Sequence, residues 1–137
     1  MYQTGIHQAL NQYRDGALAE VNEANPHRLI QMLFDGALER IATAKGAMQQ
    51  GNVAVKGERI SKAIGIIDGL RAHLDMEKGG EVAANLDALY EYMGRRLTEA
   101  NLRNDPAMLD EVANLLREVK AGWDAIPAQQ AAEGERG

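Results

Sequence analysis

The chain has 137 residues, a length that suits one domain with a core of useful size. With 45% hydrophobic, 26% charged and only 4% aromatic residues, it has an ordinary globular composition whose core must be aliphatic. A formal net charge of −5 argues against a general nucleic-acid binder, and the lack of cysteine excludes a disulfide framework and thiolate chemistry.

Five helical patterns follow one another, with no strand-like alternation to compete. In the first, Tyr2, Ile6, Ala9, Leu10, Tyr13 and Ala17 recur at helical spacing, but Gly5 and Gly16 weaken it. The second starts where Asn25 can cap free amides and Pro26 suits the first helical position. Its buried stripe is Leu29, Ile30, Leu33, Ala37, Ile41, Ala44 and Met48, and Gly51 is placed to end it in the left-handed conformation.

The third pattern runs from about Val53 to Glu77, with Ile60, Ala63, Ile64, Ile67, Leu70 and Leu74 on one face and Gly79 and Gly80 as its stop. The fourth runs from Glu81 to about Leu102 through Val82, Leu86, Leu89, Tyr90, Met93, Leu97 and Ala100. Asp105 and Pro106 repeat the cap signal for the fifth, which buries Leu109, Val112, Ala113, Leu116, Val119 and Trp123. Four strong helices with short connections predict an all-α, antiparallel up-down four-helix bundle over residues 1–126, with a short mobile N-terminal helix against it. Residues 127–137 are small, polar and aperiodic, which predicts a flexible tail.

Catalytic signals are missing. None of His7, His27 and His73 has a glutamate three positions before it, so the di-metal pattern of helical bundles fails, and surface or capping roles are expected for these histidines. Ser61, the one serine, stands in no nucleophile motif, and no phosphate-binding glycine loop occurs. The reading is a protein that is not an enzyme and needs no metal or cofactor. MYQTGIHQALNQYRDG has neither the basic start nor the apolar run of a secretory signal, and no segment is apolar enough to span a bilayer. A cytoplasmic protein without membrane insertion is expected.

Some surface is not explained by the core. On the fourth pattern Asn85, Tyr92 and Arg96 form a stripe beside Leu89. On the third, Ile66 lies at the flank with Lys62 and His73, while Gly65, Gly69, Ala72 and Met76 occupy the far side and suggest a shallow channel. Phe34, Leu38, Met32 and Leu115 widen the apolar arcs of the second and fifth. Either these are edge residues covering their own bundle, or they receive an amphipathic partner.

The blocks NPHRLIQMLFDGALERI, KAIGIIDGLRAHLD, GGEVAANLDALYEYMGRRLTEAN and LDEVANLLREVKAGW, in that order over about residues 13–126, resemble the FliS family of flagellar export chaperones. The resemblance implies a bundle that binds the disordered C-terminal segment of flagellin in the cytoplasm, prevents its early polymerisation and delivers it to the flagellar type III export apparatus. An anti-sigma factor, which some relatives bind, is a further partner it allows. The chain is expected to be a monomer or weak dimer. The residues assigned to the client are Met32, Leu33, Lys62, Ile66, Gly69, Leu70, His73, Asn85, Leu89, Tyr92 and Arg96, with the Ile66 channel preferred. Tyr2, Ile6, Leu10 and Tyr13 are assigned to a cap over part of the groove, Tyr13 matching the family's tyrosine segment best. Phe34 stands where the family usually has tyrosine, and Asn25 where it has serine. The alternative is a homo-oligomeric bundle without a flagellin client.

Overall fold

Asn25 accepts a hydrogen bond from the Arg28 amide at 3.0 Å, and Pro26 supplies the first residue of helix α1, Pro26–Gln49, in a computed structural model that describes residues 25–126. The helix ends before Gly51, whose φ of 74° is the left-handed conformation expected there. Helix α2, Val53–Ala72, opens with Asn52 accepting from the Val55 amide at 3.2 Å.

Helix α2 stops five residues short of the expected Glu77, and the reason is local. His73 Nδ1 donates to the Gly69 carbonyl at 2.9 Å, and Asp75 accepts from the amides of Glu77 at 3.1 Å and Lys78 at 3.0 Å. Asp75 therefore starts helix α3, Met76–Arg103, before the glycine pair is reached. Gly79 and Gly80 break the helical path as expected: Gly80, at φ 52° and ψ −126°, is non-helical, so α3 is a first turn from Met76 kinked against the main helix that follows from Glu81. Asn104, at φ 55°, closes α3, and Asp105 accepts from the Ala107 amide at 2.9 Å to start helix α4, Pro106–Asp124.

Each helix packs on its sequence neighbours, and α4 returns to α1, so the four form a closed antiparallel ring. The four-helix all-α bundle is the architecture the periodicity predicted. Leu33, Phe34, Ile60, Ile67, Met93, Leu97, Leu109, Val112 and Leu116 are the large side chains fully enclosed by it. Each such side chain contributes about 1.5–3 kcal/mol on removal from water. Tyr90, Met93 and Leu97 are core as read from the sequence. Phe34, read as surplus apolar surface, is core as well, only 1% exposed.

The end of the bundle that holds the α1–α2 and α3–α4 corners is closed by a buried polar contact, with Val53 and Leu102 exposed outside it. Lys56 is buried there, and its Nζ donates to the Asn101 carbonyl at 3.1 Å and to Asn104 Oδ1 at 3.0 Å. A cation beside the last carbonyls of α3 also complements the negative end of that helix. The expected N-terminal helix, including Tyr2, Ile6, Leu10 and Tyr13, and the expected tail at 127–137 lie outside the described residues.

Candidate partner-binding groove

The opposite end of the bundle is open. Here the start of α1, the end of α2, the start of α3 and the end of α4 surround a groove of about 610 Å³. Ile30 and Phe34 come from α1, Leu70 from α2, Val82, Leu86 and Tyr90 from α3, and Val119 and Trp123 from α4. Val82, expected in the buried stripe of its helix, is 67% exposed, because among the described residues no helix covers that face of α3 so near its start. Burial pushes the Tyr90 hydroxyl up to about 12, as expected for a phenol set into an apolar wall.

Trp123 is the most firmly positioned wall residue. Its indole stacks on His27 with centroids 5.0 Å apart and planes 18° from parallel, and its Nε1 donates to the His27 carbonyl at 3.0 Å. His27, expected at the surface or as a cap, is instead buried, since its stacking partner lies 96 residues away in sequence. On the other side, Arg71 of α2 grips Asp87 of α3 through two hydrogen bonds of 2.5 and 3.2 Å. That guanidinium holds the Asp87 carboxyl below its usual range and ties α3 to α2 beside the groove.

The residues assigned from sequence fall into four groups, with Leu70 in two of them. Leu70 and His73 line the groove. Leu33, Ile66 and Leu70 are 0%, 3% and 2% exposed. Ile66 is therefore core, and with Gly65 also buried the open channel drawn around it is not formed. Helix α2 has α1 on one side and α3 on the other, so its buried arc is wide enough to take in both Ile66 and Ile67. Lys62 and Asn85 are exposed, while Met32, Gly69 and Leu89 are half-buried.

Tyr92 and Arg96 join in a different structure, a polar strap between α3 and α4. The Tyr92 hydroxyl donates to Glu111 Oε2 at 2.5 Å, and Arg96 Nε donates to Glu111 Oε1 at 2.8 Å. The tyrosine first and the guanidinium second hold the Glu111 carboxyl below its usual range. The sequence reading missed Trp123, Val119 and Val82 as groove residues, having placed all three in the core. The one available signal was the clustering of apolar residues at helix ends adjacent in an antiparallel bundle.

Among the described residues, no helix is long and apolar enough to cross a membrane, and no group of three or more His, Cys, Asp or Glu residues could hold a metal ion. Residues 9–130 match the family described as "Flagellar protein FliS". The flagellar secretion chaperone FliSB of Pseudomonas aeruginosa is 59% identical over 119 residues, 86% of this chain and 94% of its own. The flagellar secretion chaperone FliS of Salmonella typhimurium is 54% identical over 107 residues, 77% of this chain and 79% of its own. That of Vibrio cholerae is 51% identical over 111 residues, 81% of this chain and 82% of its own. With an open apolar groove on a closed helical scaffold and these relatives, the chain belongs to the FliS family of flagellar secretion chaperones.

Proposed function

We propose that the chain binds the disordered C-terminal segment of flagellin in the cytoplasm, keeps subunits from polymerising early, and hands them to the flagellar type III export apparatus. The observation that carries this reading is the groove of about 610 Å³ with Val82 exposed in its wall. A rigid scaffold with an uncovered apolar groove suits a client that orders on binding, because a long interface can offset the chain entropy the client loses. The reading is of a binding protein working without catalysis or cofactor, as a monomer or weak dimer. Of the residues assigned from sequence, Leu70 and His73 are retained as groove contacts, and Ile66 is retained only as core support beneath it.

Tyr2, Ile6, Leu10 and Tyr13 act in this reading as a cap that competes with the client. Its support is that they recur at helical spacing and that the chain enters α1 at Asn25, the same end as the groove. Calorimetric titration with the C-terminal segment of the cognate flagellin tests the whole. Val82→Asp should weaken binding by at least about tenfold, since a carboxylate there resists burial. Leu102→Asp, at the closed end, should leave affinity unchanged, and deletion of residues 1–13 should tighten it. Failure of the parent chain to bind overturns the client reading, and full binding by Val82→Asp removes this groove from it.

A further inference from the structure

We propose that residues 75–79 form a flap, hinged at Gly79 and Gly80, that opens and closes the groove; the inference deepens the client reading and rests on it for what the flap admits. Both glycines serve the bent form of α3. Gly80, at φ 52° and ψ −126°, occupies a region that residues with a Cβ scarcely enter. A Cβ on Gly79 would stand 2.5 Å from the Cβ of Ala83, too close for any side chain. In a straight helix the same two glycines are poor choices, each disfavoured relative to alanine. The pair therefore favours the bend, while a straight α3 would recover helical hydrogen bonds across it. The glycines thus favour the bend and backbone hydrogen bonding the straight form, and the flap is the exchange between the two.

The segment is built to move as a unit. Asp75 fixes the amides of Glu77 and Lys78, and the Gly79 amide donates to the Asp75 carbonyl at 2.8 Å, so the turn is internally tied. Its neighbours on either side are anchored elsewhere. Helix α2 has already ended at Ala72, and beyond the hinge Asp87 is gripped by Arg71. Residues 76–82 are exposed throughout. In the bent form Leu74, Asp75, Lys78 and Gly79 form one wall of the groove. A straight α3 would carry 76–79 along its own axis and take that wall away.

The chain contains no cysteine, so spin labels can be placed without altering other positions. Glu77→Cys with Arg117→Cys reports the distance from flap to α4, and Glu81→Cys with Arg117→Cys, beyond the hinge, is the control. Double electron–electron resonance on the free chain should give two distances for the first pair and one for the control. Adding Gly79→Ala and Gly80→Ala should collapse the first pair to a single distance, with helicity kept by circular dichroism. One narrow distance for the first pair in the parent, unchanged by the alanines, overturns the flap. The flagellin C-terminal segment in excess should shift the ratio of the two populations by at least about threefold, as selection between states requires. Calorimetric binding with no shift overturns gating. Absence of binding overturns the client reading instead, and the free-chain distances still decide whether the flap exists.

Discussion

The two ends of this bundle are made of similar residues and behave differently. At the closed end, Lys56 donates to the carbonyl and side chain of a helix terminus, and Leu97 and Ala100 are 0% exposed. At the open end, the same helix α3 presents Val82 at 67% exposure, above a bend that only glycine permits. A continuous apolar stripe thus runs from core to solvent without changing character. What changes along it is cover: helices α2 and α4 flank the far part of α3, and among the described residues nothing roofs its beginning. The comparison separates stability, held at one end, from recognition, placed at the other.

Leu97→Ala should break the closed end most severely, with a loss of about 2–5 kcal/mol measured by urea unfolding, because an enclosed leucine leaves a cavity. Lys56→Met should follow at about 1–3 kcal/mol, since the stem is replaced but the Asn101 carbonyl loses its buried donor.

The Tyr92–Glu111–Arg96 strap gives a pH signature with a definite sign. Glu111 is held below its ordinary 4.5, so its contribution is complete above that pH and disappears as pH falls through the lower folded value. Glu111→Gln should therefore flatten the acid limb of a plot of urea midpoint against pH, while at neutral pH it should be the less stable form. The smallest effect belongs to the open end: Val82→Ala should change stability by no more than about 0.5 kcal/mol, although it is an apolar truncation on the same stripe as Leu97. A loss there as large as that of Leu97→Ala would show that the groove is closed in solution and dissolve the contrast between the ends.

Local physics was legible in the sequence, and it is what survived. Asn25–Pro26 and Asp105–Pro106 mark their helix starts because a cap needs only the next three residues. The bundle itself follows from helical spacing and short connections. Non-local facts were less visible. A helical wheel centred on one residue describes a helix with one neighbour and so puts Ile66 on an open flank, whereas α2 has two neighbours. Periodicity puts Val82 on the core face because it tells which face a residue shares and nothing about whether another element covers it. The glycine pair does interrupt the helix, and what stays hidden is the turn before it, because Asp75 caps from a side chain that also suits a plain turn. His27 needed knowledge of Trp123, a contact that exists only once α1 and α4 are adjacent.

Trp123 is also the only tryptophan in the chain. Its indole emission therefore comes from a single place, the groove wall, with no second fluorophore of its kind to dilute the signal. The stack on His27 and the hydrogen bond to its carbonyl fix the ring's orientation, so a spectral change would report its surroundings and not its own tumbling. The unlabelled protein carries a native optical gauge of groove occupancy, readable at low concentration with any client segment that lacks tryptophan.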